Sequence, residues 1–154
     1  MGNEKASVNI SGLEEKLNYK FKNKIYILTA ITHSSYYNEH KNIGECNERL
    51  EFLGDSVLSL TAADYLYGNS EGDEGELTRL KAAVVCESAL CEYAKKIDLG
   101  KYLLLGKGEY NGGRTRASTL ADAMEAVLGA IYLDSGFKEA KTFITPFIEE
   151  SVEQ

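Results

Sequence analysis

Three carboxylates stand at helical spacing in one stretch of the chain, residues 47–60, which reads NERLEFLGDSVLSL. A helix that turns about 100° per residue places Glu48, Glu51 and Asp55 of this stretch on one side. No lysine separates them, and Arg49 points about a quarter turn away, so their mutual repulsion has no partner within the stretch. Two interpretations follow: a solvated acidic face, or a site where a bound cation holds the carboxylates together.

A second stretch, residues 118–133 (STLADAMEAVLGAIYL), carries two more carboxylates among apolar or small residues. This composition predicts a helix buried most of the way round, with Asp122 and Glu125 on one face. Gly129 lies between and below them on the helical wheel, where a second backbone could pass closely. Unpaired carboxylates on a buried helix are strongly destabilising unless they are paired or bound to metal. A salt bridge to the arginines just upstream is the structural alternative, and we place metal binding ahead of it.

The chemistry that these acids could support depends on whether the two helices meet. If they do, four carboxylates surround one site for a hard cation, which favours Mg²⁺ or Mn²⁺ over Zn²⁺. Di-iron helical proteins use Glu-x-x-His pairs instead, and neither histidine of this chain is so placed. Carboxylate-held Mg²⁺ is typical of phosphoryl chemistry, which leaves two enzyme classes open, a nuclease and an all-α nucleotide pyrophosphohydrolase. The four carboxylates are Glu51, Asp55, Asp122 and Glu125.

The elements that position these groups are predicted to be helices, so the fold class is all-α. Apolar residues recur at helical spacing, and no stretch alternates with the period of a strand. The polar cluster 32–36 suits a helix end, and we interpret His33 within it as a structural hydrogen-bonder rather than a catalytic base. Asn47 and Asp73 are predicted N-caps, and Pro146 is expected to kink or divide the last helix. The predicted helices cover residues 13–21, 24–32, 47–67, 73–90, 118–133 and 137–152, with a polar loop at 37–46 and a glycine-rich connector at 101–113.

One aromatic residue lies off the predicted core face of the helix at 47–67. Phe52 falls about 40° beyond Glu48 on the wheel, well outside that face. It either packs under a neighbouring segment of the chain or marks a subunit interface. The predicted core face groups Leu50, Leu53, Val57, Leu60 and Asp64.

The end of the glycine-rich connector is locally basic, since it carries Lys107, Arg114 and Arg116. A basic loop that leads into a helix N-terminus suits contact with phosphate, because free backbone N–H groups and cations converge there. Ordinary solvent-exposed loop residues are the alternative.

Composition limits the classes of protein. With 154 residues, 44% of them hydrophobic, the chain is most simply one domain with its own core. Acids exceed bases by 24 to 17, so the net charge of −7 alone would not hold nucleic acid. No apolar run is long enough to span a membrane and the start lacks a signal core, so we expect a cytoplasmic protein without a membrane partner. The three cysteines lack C-x-x-C spacing and so suggest neither a disulfide framework nor a zinc site.

Several stretches resemble the catalytic domain of the ribonuclease III family, in that family's usual order. The most specific is NERLEFLGDSVL at 47–58, which matches the family signature along its length. The resemblance extends over residues 10–150, essentially the whole chain. The other matching stretches are THSSY at 32–36, EGELTRLKAAVV at 74–85, LGKGEYNGGR at 105–114 and LADAMEAVLGAIYLDSGF at 120–137.

The resemblance implies an all-α endonuclease domain, expected at residues 10–152 after a flexible N-terminus at 1–9. It implies hydrolysis of double-stranded RNA with Mg²⁺, or Mn²⁺ in its place, to 5′-phosphate and 3′-hydroxyl ends, in the processing of RNAs such as rRNA precursors. The family's metal-binding acids match the same four carboxylates selected above. Asp55 and Glu125 among them are expected to form the catalytic pair.

The resemblance also implies roles outside the four metal-binding acids. The family's auxiliary acids match Glu48 and Glu74. Its domain is a homodimer with one site in each subunit, on either side of a valley that receives the duplex. An aromatic residue that matches Phe52 inserts into a cavity of the partner, which would explain the position of Phe52 off the core face.

The chain departs from the family pattern in two places. Ala117 stands where the family often has an acid, and we attach no consequence to it. Bacterial members usually append a double-stranded-RNA-binding domain, and since this sequence stops at Gln154 we expect that domain to be absent from it. The acidic balance would then reflect basic RNA-binding surface located elsewhere.

The competing class is a non-catalytic family member that binds or scaffolds duplex RNA, and the presence of all four acids favours the enzyme.

Overall fold

Helices make up the regular structure of the protein, as the apolar spacing predicts. The computed structural model describes residues 8–42, 44–109 and 112–154. Within these ranges no strand is formed, and the all-α prediction is confirmed. The helices, numbered in chain order, are α1 (Ile10–Leu17), α2 (Lys24–Ala30), α3 (Ser34–Glu39), α4 (Glu48–Asn69), α5 (Glu74–Val85), α6 (Glu87–Lys96), α7 (Ala117–Ser135) and α8 (Phe137–Glu153).

The connector between α6 and α7 is irregular, as its glycines predict. Its described part contains two short 3-10 turns, Leu99–Tyr102 and Lys107–Glu109. A single bridge between Thr32 and Leu104 ties it to the end of α2. The connector is therefore held against the segment that leads into α3.

α7 lies at the centre of the core and is buried nearly all the way round, as its composition predicts. The backbone of α4 packs directly against it at two glycines. A Cβ on Gly54 would overlap the carbonyl oxygen of Glu125, and a Cβ on Gly129 would come within 2.5 Å of the carbonyl oxygen of Leu50. The close backbone approach predicted at Gly129 is confirmed, and the helix that approaches it is α4.

The buried face of α4 differs from the predicted one. Val57 is buried as predicted, but Leu60 is 57% exposed and Asp64 also lies at the surface. The core side is centred on Gly54 and Leu58 instead. The contact between Gly54 and the α7 backbone sets the rotation of α4, and this contact cannot be read from the apolar spacing of α4 alone.

A short helix, α3, begins in the polar cluster and occupies part of the predicted loop at 37–46. His33 is its N-cap: the ring Nδ1 accepts the backbone N–H of Ser35 at 3.1 Å. The expectation of a helix end at 32–36 is only partly right, because α2 ends at Ala30 and the cluster begins the next helix. Polar side chains satisfy the first turn of α3, and a search for apolar spacing does not detect such a helix.

Asn47 precedes α4 as predicted, but its side chain does not cap the helix. The side chain is buried, and its Nδ2 donates to the carbonyl oxygen of Ala30 at 3.1 Å. Its backbone N–H donates to the carbonyl oxygen of Thr32 at 2.9 Å. Asn47 thus ties the start of α4 to the end of α2, and this tie determines where the first carboxylates of α4 lie.

The helix predicted at 73–90 is two helices, α5 and α6, with Cys86 in an extended conformation between them. Asp73 caps α5 as predicted and accepts the backbone N–H of Glu76 at 2.9 Å. The break places the end of α5 against α6, where the buried hydroxyl of Tyr93 donates to the carbonyl oxygen of Val84 at 2.8 Å. Apolar spacing along the chain does not reveal this hydrogen bond between two successive helices.

α8 runs as one helix through Pro146, so the expected division into two helices does not occur. Proline removes one helical hydrogen bond, the one that the carbonyl of Thr142 would accept. Thr142 and Pro146 are both exposed, so solvent can replace the lost donor.

The flexible N-terminus predicted at 1–9 falls mostly on residues outside the described ranges. Asn9, which is described, caps α1 by accepting the backbone N–H of Gly12 at 2.8 Å. None of the helices in the described ranges combines the length and the apolar character that crossing a membrane requires.

Candidate metal site

A cavity of about 570 Å³ opens where α4, α7 and the start of α3 meet. Helices α4 and α7 contribute all of its carboxylates, and polar residues at the starts of α3 and α4 close one side. We call it the acidic cavity. It is lined by His33, Ser34, Asn47, Glu48, Glu51, Phe52, Asp55, Asp122 and Glu125.

Three of the four predicted metal-binding acids come together in the acidic cavity. One carboxylate oxygen from each of Glu51, Asp122 and Glu125 lies within 4.8 Å of the others. Glu51 is in the first turn of α4, and Asp122 and Glu125 are one turn apart on α7. The close approach of Gly54 to the Glu125 backbone brings the two acidic faces together. Three oxygen ligands in a half-buried site fit a hard cation that keeps some of its own water.

The acidic cavity disfavours the charged forms of its carboxylates. Burial raises the pKa of Glu125 to about 8, and the neighbouring carboxylate of Asp55 adds to the rise. Burial also raises the pKa of Glu51 and of Asp122, and the charge of Asp122 adds to the rise at Glu51. A bound cation would lower these pKa values, because it stabilises the charged carboxylates.

The salt-bridge alternative does not hold for these three carboxylates. The ion pairs formed among the described residues give none of them a lysine or arginine partner. The guanidinium of Arg114 donates to the carbonyl oxygens of Gly100 and Leu103, at 3.1 and 2.7 Å. Arg116 pairs with Glu109 at 2.8 Å. The upstream arginines therefore stabilise the connector and not the acids.

The remaining predicted acids differ in position. Asp55 lines the acidic cavity beside Glu125, but it lies outside the group of three whose oxygens converge. Glu48 lines the cavity and is exposed. Glu74, the first residue of α5, is exposed and is not among the lining residues. The structure thus brings Asp55 and Glu48 to the site, and the auxiliary role of Glu74 stays a prediction.

The residues predicted to contact phosphate lie outside the lining of the acidic cavity. Lys107 is exposed, and its backbone N–H donates to a carboxylate oxygen of Glu39 at 2.8 Å. Arg116 is exposed and paired with Glu109, whereas Arg114 is half-buried and holds the connector together. Their contact with RNA stays a prediction.

Phe52 is 81% exposed at the edge of the acidic cavity. On its other side it lines a second cavity of about 540 Å³ together with Leu53 and Leu133. No segment of the described ranges covers it, so the interpretation that it packs under a neighbouring segment is wrong for that part of the chain. The interface interpretation remains.

Three polar residues of the lining were not predicted as site residues. His33 and Ser34 reach the acidic cavity from the start of α3, and Asn47 reaches it from the start of α4. His33 does hydrogen-bond within the fold, as interpreted from the sequence, but it also faces the acids. Helical spacing on α4 and α7 could not reveal His33 and Ser34, since they lie on a different element, and the available signal was the polar cluster at 32–36. Asn47 stands at the start of α4, and its only signal was the predicted N-cap.

The chain is similar to proteins of one family over most of its length. A family model described as Ribonuclease-III-like matches residues 23–151. Ribonuclease 3 of Caldanaerobacter subterraneus is 51% identical over 144 residues, which cover 92% of this chain and 63% of that protein. Ribonuclease 3 of Clostridium perfringens is 49% identical over 139 residues, which cover 89% of this chain and 58% of that protein. The chain spans about six tenths of the length of these curated relatives.

A solved structure is similar in the arrangement of its helices. It is the nuclease domain of ribonuclease III from Campylobacter jejuni, described for structural flexibility in a region involved in dimer formation. The TM-score is 0.86 at 40% sequence identity, and the match covers 95% of this chain and 100% of that one. The match therefore includes nearly all of the helical core.

Proposed function

The chain belongs to the ribonuclease III family, and from this premise we propose that it is a Mg²⁺-dependent endoribonuclease. Its substrate is double-stranded RNA, and it hydrolyses phosphodiester bonds to 5′-phosphate and 3′-hydroxyl ends. The observation that carries the proposal is the convergence of Glu51, Asp122 and Glu125 within 4.8 Å, from two helices. Among the described residues no lysine or arginine pairs with them. The use of Mn²⁺ in place of Mg²⁺, a role in processing rRNA precursors and a cytoplasmic location stay predictions.

The proposed roles of the acids follow from their positions in the acidic cavity. Glu51, Asp122 and Glu125 hold the ion, and Asp55 completes the set from beside Glu125. When bound, Mg²⁺ supplies Lewis-acid activation of water and offsets the charge of the phosphate. Asp55 and Glu125 form the catalytic pair, because their adjacent carboxylates can accept hydrogen bonds from the attacking water and so orient it. Glu48, at the edge of the cavity, is an auxiliary acid, and Glu74 is proposed as a second one.

The surface beside the acidic cavity has an exposed aromatic residue that a second copy of this chain could cover. Phe52 borders both the acidic cavity and the second cavity, so a second copy of this chain that covered Phe52 would lie beside the site. We therefore propose a homodimer, in keeping with the dimer-formation region of the Campylobacter domain. Lys107 and Arg116 are proposed phosphate contacts, since both are exposed. Residues 10–152 are proposed as the endonuclease domain.

The proposal is tested by incubating the purified chain with a long, perfect RNA duplex at low salt, with Mg²⁺ or with EDTA, followed by end-group analysis. We expect cutting that depends on Mg²⁺ and leaves 5′-phosphate ends. Glu125→Gln removes a charged ligand of the proposed site and should lower the cutting rate by at least about 100-fold. Glu71→Gln is the matched control, because Glu71 is an exposed acid outside the lining of the acidic cavity.

Each other outcome of this assay points to a different conclusion. Cutting in EDTA, or full cutting by Glu125→Gln, contradicts the proposed metal site. Binding of the duplex without cutting in any metal favours the non-catalytic family member. Hydrolysis of nucleoside triphosphates by a chain that leaves duplex RNA intact favours a pyrophosphohydrolase.

A further inference from the structure

The ring of His33 is held on one side by a chain of hydrogen bonds that starts in the glycine-rich connector. The backbone N–H of Gly106 donates to the hydroxyl oxygen of Ser35 at 2.8 Å. That hydroxyl lies 2.7 Å from the Nδ1 atom of His33, and the backbone N–H of Ser35 donates to the same Nδ1 at 3.1 Å. Because Nδ1 accepts the backbone N–H, it carries no proton. The neutral ring therefore has its proton on Nε2.

The Nε2 side of His33 is left for the acidic cavity. His33 lines this cavity together with Glu51 and Asp122. Within residues 8–42, 44–109 and 112–154, the hydrogen bonds of the ring all involve Nδ1. The half-buried Nε2–H of His33 is therefore a donor whose orientation is set by the hydrogen bonds at Nδ1. The charged groups that line the cavity with it are all carboxylates.

The chemistry of this donor excludes two roles and favours a third. A ring whose Nε2 already carries the proton cannot act there as a general base or as a metal ligand. It can donate a hydrogen bond to an anion. The anion that the proposed function brings into this cavity is a phosphodiester, whose non-bridging oxygens gain negative charge during in-line attack and need donors that the carboxylates cannot supply.

We propose that His33 is a catalytic residue of the phosphodiester hydrolysis, whose Nε2–H donates to a non-bridging oxygen of the scissile phosphate. Ser35 is a positioning residue, since it holds the ring through Nδ1 and is not among the residues that line the acidic cavity. The proton stays on Nε2 throughout, so His33 contributes no proton-transfer step. This inference rests on the proposed function.

The glycine-rich connector is hydrogen-bonded to α3 at a second position. Glu39 of α3 accepts the backbone N–H of Lys107 at 2.8 Å, next to the hydrogen bond from Gly106 to Ser35. A Cβ on Gly106 would come within 2.7 Å of the Ser35 carbonyl oxygen, so only glycine allows this approach. The segment that carries Lys107 is thus fixed to the same helix that His33 caps.

The first test compares two substitutions of His33 in the full chain. In His33→Asn the amide oxygen can take the place of Nδ1 and keep the cap of α3, but no group reaches the phosphate. In His33→Gln the longer amide can restore a donor at the position of Nε2. We expect His33→Asn to lower kcat on duplex RNA by about 100-fold with little change in KM or Tm, and His33→Gln to recover part of the loss. His40→Asn, at the other end of α3, is the control and should cut like the wild type.

A second readout separates contact with the phosphate from a structural effect. Sulfur accepts hydrogen bonds poorly, so a phosphorothioate at the scissile position should slow the wild type in one stereoisomer. The same stereoisomer should slow His33→Asn much less, because the hydrogen bond is already lost. A purely structural role of His33 would leave the thio effect unchanged in the variant, and this result would overturn the proposal.

A third readout does not depend on any RNA. The chain has two histidines, so ¹⁵N NMR of the imidazole rings, assigned with His40→Asn, reports the tautomer of His33 directly. We expect the Nε2–H tautomer in the wild type and a mixture of tautomers in Ser35→Ala. An Nδ1–H tautomer in the wild type would overturn the inference. If the wild type cuts duplex RNA and His33→Asn cuts equally well, the inference alone fails; if the wild type does not cut, the proposed function fails and the catalytic role with it.

Discussion

At the scale of single residues, Glu125 carries the largest electrostatic conflict of the site. It is only 9% exposed, and its pKa is raised to about 8 by burial and by the carboxylate of Asp55. A carboxylate in these surroundings is either protonated or stabilised by a cation. Without metal, the acidic cavity is therefore more stable when part of its charge is neutralised by protons.

This conflict predicts how stability depends on pH. Between the ordinary pKa of 4.5 and the folded value of about 8, the folded chain binds more protons at Glu125 than the unfolded chain. The free energy of unfolding should then fall as pH rises through this window, and the proton-linked stability should be fully present below it. In EDTA we expect the free energy of unfolding to fall by more than about 1.4 kcal/mol across this window, the equivalent of a pKa shift of one unit. Urea unfolding at a series of pH values measures it.

Two additions make this measurement specific. Mg²⁺ should raise the stability most at the alkaline end, because it replaces the protons that are lost there. Glu125→Gln should flatten the pH dependence and weaken the response to Mg²⁺, whereas Glu71→Gln should behave like the wild type. An unchanged slope in Glu125→Gln would show that another group titrates.

At the scale of elements, the site exists because α4 and α7 approach closely enough for their backbones to touch. Gly54 lies one turn beyond Glu51 and directly beneath the backbone of Glu125. Gly129 makes the reciprocal contact with Leu50 one turn further along α7. The same contact therefore packs the core and sets the distance between the carboxylates.

Adding one methyl group at this contact should be strongly destabilising. In Gly54→Ala the new Cβ would overlap the carbonyl oxygen of Glu125, and backbone cannot move aside as a side chain can. We expect a loss of about 3 kcal/mol or more in the free energy of unfolding, at the upper end of overpacking effects. Gly68→Ala in the same helix meets no atom within 4 Å and should instead stabilise by up to about 1 kcal/mol. Equal unfolding curves for the two variants would contradict the close helix contact.

At the scale of the whole molecule, one side of α4 leaves apolar surface uncovered. Phe52 is 81% exposed and Tyr67 is 82% exposed, and with Leu60 they fall on one side of the helix. Exposed aromatic residues in one row are typical of an interaction surface. Because Phe52 also borders the acidic cavity, a partner on this surface would lie beside the site.

The homodimer proposed above makes a direct prediction about mass. Phe52→Ala removes the most accessible apolar anchor beside the site and should shift the chain from dimer to monomer in multi-angle light scattering. Ile25→Ala is the matched control, because Ile25 is an exposed apolar residue of α2 and should leave the mass unchanged. A monomeric wild type, or a dimer that survives Phe52→Ala, would contradict this interface.

Much of the fold and part of the site could be predicted because the signals are local. Helical spacing located α4 and α7, the burial of α7 and the faces that carry Glu51 and Glu125. Apolar residues at helical spacing do not reveal two features that arise from the local sequence. α3 begins with polar residues, and the break at Cys86 interrupts no apolar pattern.

The sequence by itself determined the type of fold, the acids available and the family, since periodicity and motifs depend only on neighbours along the chain. Only the tertiary structure decided which groups meet. It turned α4 so that Gly54 faces Glu125, gave the arginines partners other than the acids, and brought His33 to the cavity. The physical reason is that each of these outcomes depends on contacts between segments far apart in the sequence, and no local pattern records such contacts.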